Sequence, residues 1–483
     1  MSLTHFDFHT LKVSLQALGY EVYDSSYAEV GGTCCCCMVR SKEKKLLAAA
    51  GQTQLFSGEP CGDLKLCPLS VENAKALMTL FPYTKPVSHK NHPFTLGLGD
   101  RIGLAAPGQL RALKGYDVFP VLAQQSIREL TLTNRTFPEV IAAAAFGVFQ
   151  EGYTGGYGAD GDHLKTKEEI RYALESGCTM ITLDCSEHID NDAAVCPQDT
   201  LDAAYAALPA YVTSHYEEKY LGKELPVVGA LTPEELKRIV LVFYKAISHA
   251  IECHRYIELT AAHEVDFELS IDEARAITSP AEHLLIAMEL RDAGVTPASV
   301  APHFTGEFEK GIEYQGNLDQ LAADLRSHQQ IAEAFGYKLS LHSGSDKFSV
   351  FPILHRITKG HVHVKTAGTN WLEAVRVVAM EAPALYRKAQ KYALEHQAEA
   401  AKYYHVTTDP STIQNIDLMS DAYLPEYLQL PASRQLMHIT YGLLLAQPWF
   451  REPFFALMHR KEAVYYAGLV QHIGRHLRYL TAG

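Results

Sequence analysis

The stretch that decides the fold is residues 155–188, which read GGYGADGDHLKTKEEIRYALESGCTMITLDCSEH. It opens with a short run that ends at His163, continues with a helical pattern, and returns to the apolar run Met180–His188. Thr166 and Glu169 mark the start of the helix as a capping box, in which the threonine oxygen accepts a backbone N–H while the glutamate reaches back. Strand, helix and strand in this order predict a parallel βαβ unit.

The same rhythm recurs from about residue 94 onward. Three further capping boxes begin at Thr136, Thr232 and Ser279, and Pro directly follows the cap in the last two. Eight apolar runs alternate with helical patterns: Thr95–Gly103, Val118–Gln125, Gly155–His163, Met180–His188, Val265–Asp272, Ser299–Phe308, Lys338–Ser345 and His361–Thr369. Eight such units predict an α/β fold, a (β/α)8 barrel of the TIM type.

The rest of the chain is organised around this barrel. We expect a small α+β amino-terminal domain over residues 1–90, the barrel over 91–372 and a helical extension over 373–483. The fourth and fifth runs are unusually far apart, which predicts a helical insertion at about 199–257. The extension is expected to pack on the barrel or to form a contact in a homo-oligomer.

The composition of the 483 residues excludes several classes of protein. A count of 43 Lys+Arg against 56 Asp+Glu gives a net charge of −13, which repels the phosphates of nucleic acids. The chain shows neither a membrane span nor the pattern of a signal peptide, so we expect a cytoplasmic protein. The run Cys34–Cys37 favours a strand of small residues over a zinc site, because four neighbours cannot all face one ion.

Polar side chains gather where the predicted strands end, and active residues of such barrels occupy those ends and the loops after them. Histidines close the third, sixth and seventh runs: His163, His303 and His342. Histidines from nearby strand ends can converge on one ion and leave positions open for substrate, as at a catalytic metal. His188, His361 and His363 are alternatives, and any single histidine is more often a hydrogen-bonded core or surface residue.

Two carboxylates are predicted to transfer protons. Asp162 adjoins His163, which holds it near the ion. Glu268 stands mid-strand between Phe267 and Leu269, and such burial raises the pKa of a carboxyl group, which suits a general acid. The alternatives are a helix-cap or turn role for Asp162 and a buried ion pair for Glu268.

The loops after the last two strands are rich in hydrogen-bond donors. Lys347 and Lys365, together with Ser343, are predicted to hold an anion such as a carboxylate or a phosphate. Asp184 is a further candidate for the substrate pocket, for a fourth metal ligand or for a partner that orients one. Solvated lysines are the alternative, and a Schiff-base role for either lysine would make a metal redundant.

These motifs together resemble one known family. Asp162-His163 in GADGDHLKT, Glu268 in DFELSIDE, His303 in VAPHFTGEFEKG and His342 in LHSGSDKF are similar to the tagaturonate epimerases of bacterial hexuronate breakdown. The resemblance extends over roughly residues 90–480. It implies an enzyme that uses a divalent metal (Mn, Ni, Co, Fe or Zn) to interconvert D-tagaturonate and D-fructuronate. It also implies Asp162 as proton acceptor, Glu268 as proton donor and the three histidines as metal ligands.

The chemistry of these sugar acids fits such a site. Their epimerised carbon is not adjacent to the ketone, so deprotonation there would give an unstabilised carbanion. Retro-aldol cleavage and re-closure avoids that carbanion, with the ion as Lewis acid. A metal-dependent ketose isomerase or class II aldolase would share the histidines, and a sugar-acid-binding protein without activity would share the fold. In each case the expected partner is a small sugar acid and not a nucleic acid or a membrane.

Overall fold

The computed structural model describes residues 8–89, 92–272 and 274–481. Its amino-terminal part is a six-stranded sheet with antiparallel pairings and two helices. The strands are β1 (Glu21–Val22), β2 (Ala28–Val30), β3 (Cys34–Arg40), β4 (Lys45–Gly51), β5 (Glu59–Cys61) and β6 (Leu64–Cys67), and the helices are α1 (Phe8–Ala17) and α2 (Val71–Leu80). The four cysteines of β3 are buried free thiols that alternate between two apolar clusters. The cysteine run is therefore the buried strand that the sequence predicted.

The apolar runs of the sequence form a closed barrel of eight parallel strands. The barrel strands are β7 (Phe94–Gly97), β8 (Phe119–Ser126), β9 (Gly158–Leu164), β10 (Met180–Asp184), β13 (Asp266–Ser270), β14 (Ser299–Ala301), β15 (Lys338–Leu341) and β16 (Val362–Lys365), and a separate hairpin supplies β11 (Glu224–Leu225) and β12 (Gly229–Ala230). The predicted TIM-type fold is confirmed. Most barrel strands are shorter than the predicted runs, and the polar residues after them lie in loops at the barrel mouth.

Helices cover the barrel from outside. Those between successive strands are α3 (Ala106–Ala112), α4 (Ile127–Thr133), α5 (Phe137–Glu151), α6 (Lys167–Ser176), α7 (Gln198–Ala206), α8 (Ala210–Tyr220), α9 (Pro233–Thr260), α10 (Pro280–Asp292), α11 (Leu318–Phe335) and α12 (Phe351–Thr358). The four predicted capping boxes open α5, α6, α9 and α10, and Ser126 forms another at α4. α9 packs against both α6 and α10, so it connects β10 to β13 in the outer ring. The region predicted as an insertion, about 199–257, therefore includes one helix of the barrel itself.

Helices continue after β16. They are α13 (Gly368–Glu381), α14 (Pro383–Glu395), α15 (Gln397–Ala400), α16 (Leu424–Tyr427), α17 (Pro431–Ile439), α18 (Tyr441–Leu445), α19 (Pro448–Arg460) and α20 (Glu462–Thr481). The extension predicted over 373–483 is helical, and its first two helices are separate because Pro383 lacks the N–H that would continue α13. α20 packs against α3 and α12, so this extension packs on the barrel, one of its two predicted roles.

The predicted domain limits stay predictions. The boundary between residues 90 and 91 lies at two residues outside the described part of the chain, as do residues 1–7 and 482–483. Among the helices of the described ranges, none combines the length and the apolar character needed to cross a membrane.

Candidate active site

A cavity of about 550 Å³ opens at the barrel mouth, where the strand-end loops meet the carboxy-terminal helices. Six of the residues predicted for the site line it: Asp162, His163, His303, His342, Ser343 and Lys365. Glu268 is fully buried and bonded to two of these residues, His342 and Lys365. The predicted strand ends therefore do converge on one place.

A cluster of opposite charges lies at the centre of the site. Alternate residues of a strand point to the same face, so Asp160 and Asp162 of β9 approach Lys365 together. The Nζ atom of Lys365 lies 2.9 Å from Oδ2 of Asp160, 2.6 Å from Oδ1 of Asp162 and 2.8 Å from Oε1 of Glu268. We call these four buried residues the lysine cluster. It contains three carboxylates for one ammonium group.

The lysine cluster sets the ionisation of its carboxylates. Burial would raise the pKa of Glu268, but Lys365 and His342 outweigh burial and hold that pKa well below its usual range. The predicted rise in the pKa of Glu268 is therefore wrong. The structure contains the alternative, a buried ion pair, which Glu268 makes with Lys365. The pKa of Asp162 is lowered as well, because Lys365 and the nearby histidines outweigh its burial. Asp160 is the carboxyl group of the cluster whose pKa is raised, to about 6. Burial and the negative charges of Asp162 and Glu268 raise this pKa more than Lys365 lowers it.

Beside the lysine cluster, His163, Asp272 and His342 bring potential ligand atoms within 4.8 Å of one another. His342 places Nε2 2.8 Å from Oε1 of Glu268 and Nδ1 3.1 Å from Oδ2 of Asp272. The Nδ1 atoms of His163 and His342 are buried and, among the described residues, make no hydrogen bond of good geometry, although Nδ1 of His342 faces Oδ2 of Asp272. Two such ring nitrogens next to a carboxylate form a donor set that suits a divalent cation.

His303 lines the same cavity but is not one of these three residues. Its Nδ1 lies 2.7 Å from the carbonyl oxygen of Ala274, so Nδ1 carries the proton and donates it. The lone pair is then on Nε2, the arrangement that metal-binding histidines commonly have. Sequence reasoning did not single out Asp272, although it stands in the quoted motif DFELSIDE, two residues after the end of β13.

Backbone strain also marks this site. His163 and Ser343 have φ values of 51° and 53°, in the left-handed region that residues other than glycine seldom adopt. Such conformations cost about 1–3 kcal/mol each and concentrate at functional sites. Both residues line the cavity, so the strain lies where the predicted chemistry lies.

Besides Glu268, two predicted residues lie outside the lining of the cavity. Asp184 is buried behind His163, with Oδ2 3.9 Å from the histidine Nδ1 and Oδ1 accepting the N–H of Ser186. This position suits a partner that orients His163. Lys347 is completely buried, and its ammonium group donates to the carbonyl oxygens of Glu309, Ile312 and Ser345 at 2.8, 2.6 and 3.1 Å. Lys347 therefore fastens loops together and does not face the cavity.

The alternative histidines are also placed elsewhere. His188 stacks on His249 with ring centroids 3.9 Å apart, His361 is exposed before β16, and His363 is buried with Nδ1 2.7 Å from Oγ1 of Thr95. None of the three lines the cavity as far as the described residues go.

A second group of potential ligands, Asp346, His472 and His476, lies under the last helix. His476 accepts the N–H of Asp346 at Nε2 and donates from Nδ1 to the carbonyl oxygen of His472. Both of its ring nitrogens are used, so this group does not have the free donors of a metal site.

Sequence reasoning missed three further residues of the cavity. Gln124 at the end of β8 has a buried Oε1 without a partner among the described residues, and Lys310 donates to Oγ of Ser343 at 2.6 Å. His438 comes from α17 in the carboxy-terminal helices. Lys310 stood inside a motif already quoted, but no local pattern could assign His438, because its place depends on how the extension packs.

Comparison with known proteins adds the family. The family model described as tagaturonate epimerase matches residues 23–480. The chain belongs to the tagaturonate epimerase family. Tagaturonate/fructuronate epimerase of Thermotoga maritima is a curated member 37% identical over 469 residues, which are 95% of this chain and 96% of that protein. The resemblance carried by the four motifs is confirmed, and with it the class of enzyme, an epimerase.

Solved structures agree with this membership of the tagaturonate epimerase family. The native crystal structure of fructuronate-tagaturonate epimerase UxaE from Cohnella laeviribosi has a TM-score of 0.94 and 48% identity to this chain. The match covers 98% of this chain and 99% of that one, and a complex of the same protein with one glycerol gives equal values. The likeness therefore includes the amino-terminal sheet, which the motifs did not reach.

Proposed function

We propose that this protein interconverts D-tagaturonate and D-fructuronate by metal-dependent retro-aldol cleavage and re-closure of a C–C bond. The observation that supports this most is that the buried Nδ1 atoms of His163 and His342 lie beside the lysine cluster, at the mouth of a barrel from an epimerase family. The metal would be Mn, Ni, Co, Fe or Zn, since imidazole and carboxylate ligands serve these ions. A cytoplasmic location and a homo-oligomeric state stay predictions.

The proposed metal ligands are His163, His303 and His342, with Asp272 close enough to join them. The fit rests on the buried Nδ1 atoms of His163 and His342 and on the tautomer of His303. When bound, a divalent metal supplies Lewis-acid stabilisation for negative charge on the oxygens of the substrate. Glu268 would orient His342 through the contact at Nε2, as carboxylates do beside many ligating histidines.

The proposed reaction begins at Asp162, which is ionised because Lys365 stabilises its charge. Asp162 takes the proton from the hydroxyl group on the epimerising carbon. The bond from that carbon to the carbon next to the ketone breaks, giving an aldehyde and an enediolate that keeps the bonding electron pair. The aldehyde turns over, and the enediolate attacks its other face. The new alkoxide then takes a proton from Glu268, which completes the epimerisation.

Lys365 can carry the proton that Asp162 has taken up to Glu268, which needs one to donate. Its Nζ contacts both Asp162 and Glu268, so the ammonium group can give a proton to Glu268 and regain one from Asp162. One proton then passes from the first carboxyl group to the second while the substrate is bound. Gln124, which lines the same cavity, is available to the hydroxyl groups of the sugar.

The test is product analysis with purified protein, Mn²⁺ or Ni²⁺, and D-tagaturonate in D₂O. We expect D-fructuronate with no deuterium at the epimerised carbon, because its C–H bond is never broken. Deuterium at that carbon would overturn the retro-aldol step. Cleavage fragments as final products, or an aldose, would overturn the proposed epimerase activity in favour of an aldolase or a ketose isomerase.

A further inference from the structure

The lysine cluster raises the question of where the carboxylate of a sugar acid binds. Lys365 already faces three carboxylates, and Asp272 lies next to His342 beside them. A further anion at Lys365 would meet more negative than positive charge, and like charges at close range repel. Lys347 faces loop carbonyls instead of the cavity. Lys365 is therefore surrounded by negative charge, and Lys347 lies outside the lining of the cavity.

We propose that the substrate carboxylate binds at a different place in the cavity, which we call the carboxylate corner: Lys310, Ser343, His438 and the first turn of α13. This inference rests on the proposed function for the identity of the ligand as a sugar acid. Lys310, Ser343, His438 and, from the start of α13, Gly368 line one cavity. Ser343 directly follows His342 in the chain, so the corner adjoins the proposed metal ligands.

Lys310 supplies the charge of the corner. It projects from the loop after β14 and donates to Oγ of Ser343 at 2.6 Å, which holds its ammonium group at the cavity. The hydroxyl proton of Ser343 is then directed away from Lys310. An ammonium and a hydroxyl group side by side can donate to the two oxygens of one carboxylate, and hydrogen bonds between charged groups are about twice as strong as neutral ones.

The beginning of α13 adds a second source of positive potential. Its 14 residues start at Gly368 with no side-chain cap, and Ala367 and Gly368 both line the cavity. Free N–H groups and the helix dipole at such a position favour an anion. Thr369, in the same first turn, is buried, and its Oγ1 has no hydrogen-bond partner in the described ranges.

His438 closes the corner from the extension and is the independent sign that a ligand belongs here. The residue is only 1% exposed, its ring packs directly on Gly368, and its Nδ1 has no hydrogen-bond partner within the described part of the chain. Burial lowers the pKa of His438 well below its usual range, and Arg101, Lys310 and Arg434 lower it further. The ring is therefore neutral with one N–H to donate, and of the three cations Arg101 and Arg434 are paired with Glu129 and Asp346.

The experiment compares two ligands of equal length on metal-loaded protein: D-galactonate, which has a carboxylate, and galactitol, which has none. Calorimetry would measure both affinities for the wild type, Lys310→Met and Lys310→Arg. Lys402→Met is the matched control, because Lys402 is an exposed lysine of the extension that does not line the cavity. Melting temperatures of all four proteins would show whether each variant is folded.

We expect Lys310→Met to weaken galactonate binding about tenfold or more, as the loss of a charge-assisted hydrogen bond does. Galactitol binding should stay unchanged, Lys310→Arg should retain galactonate binding within about threefold, and Lys402→Met should behave as the wild type. In turnover, KM for tagaturonate should rise in Lys310→Met while kcat changes little, because ground-state and transition-state binding are lost equally.

The inference would be overturned if folded Lys310→Met bound galactonate as tightly as the wild type does. It would also be overturned if Lys310→Met lost affinity for galactonate and galactitol equally, or if the wild type did not bind galactonate. These results are independent of turnover. A wild-type protein that binds galactonate through Lys310 but does not epimerise tagaturonate would refute the proposed function and leave the carboxylate corner standing.

Discussion

His342 places its Nε2 atom 2.8 Å from Oε1 of Glu268, which joins a proposed metal ligand to a proposed proton donor. Glu268→Gln tests this relationship. Turnover should fall about 100-fold or more, since general acid–base catalysis contributes about 10²–10⁴. Metal should remain bound, with an affinity about tenfold lower because the orientation of His342 is weakened. Metal content and kcat would be measured together, with the exposed Glu264→Gln as control. Near-wild-type kcat would remove Glu268 from the mechanism.

His303 and Asp272 compete for the third place among the proposed ligands. His303→Ala should reduce metal affinity about 100-fold or more, because a direct ligand contributes at least as much as the groups that orient it. The measurement is a metal titration of His303→Ala and Asp272→Asn side by side, with exposed His361→Ala as the control. If His303→Ala binds metal as the wild type does and Asp272→Asn does not, the ligand set is His163, His342 and Asp272.

Substitution of Lys347 tests whether this residue has a structural role or binds the substrate. Burial lowers its pKa to about 8, and its three carbonyl partners keep it within the loops. Lys347→Met should lower the free energy of unfolding by about 2–4 kcal/mol through lost charged hydrogen bonds and unpaired carbonyls. KM for tagaturonate should not change. Urea unfolding and steady-state kinetics would decide, and a raised KM without loss of stability would restore the substrate role predicted from the sequence.

The surroundings of Asp346 allow us to predict how the free energy of unfolding depends on pH. Burial opposes ionisation, but Arg434 and His472, each 2.5 Å from one carboxylate oxygen, together with the nearby His476 hold the pKa of Asp346 well below its usual range. A depressed folded-state pKa contributes stability above the unfolded pKa of about 3.9, and that stability is lost as pH falls towards the folded value.

Asp346→Asn should therefore cost about 3 kcal/mol at pH 7, because it leaves Arg434 buried without its anion. Asparagine tolerates the left-handed φ of 63° at this position, so the backbone is not the cause. Urea unfolding of both proteins should give a constant difference from pH 7 to about 5 that shrinks below about 4. A difference that grows as pH falls would contradict this origin, and Asp319→Asn, at an exposed position, is the control.

The sequence was sufficient for the barrel because its signals are local. Capping boxes at Thr136, Thr166, Thr232 and Ser279 depend only on residues three apart, and all four are present. The histidines could be placed at one face because strand ends of a parallel barrel share that face. Most strand ends were set too late, since the predicted runs included the mainly polar residues that follow the last ladder hydrogen bond at the barrel mouth.

What the sequence could not supply depended on partners distant in the chain. The pKa of Glu268 is set by Lys365 and His342, so a rule based on burial alone gave the opposite direction. Lys347 and Lys365 look alike as lysines after strands, yet one contacts carbonyls and the other carboxylates. His438 reaches the cavity only through the docking of α17.

The docking of α20 against α3 and α12 has a consequence for how this protein is made. α3 belongs to the first barrel unit that the ribosome releases, whereas α20 is synthesised after all eight barrel strands. Leu469 of α20 packs on Gly108 of α3, so the apolar side of that early helix stays uncovered until residues 462–481 have emerged. Folding intermediates with exposed apolar surface aggregate readily. Nascent chains stalled before residue 462 should therefore bind chaperones and be inactive, because the helix that covers α3 has not yet been synthesised.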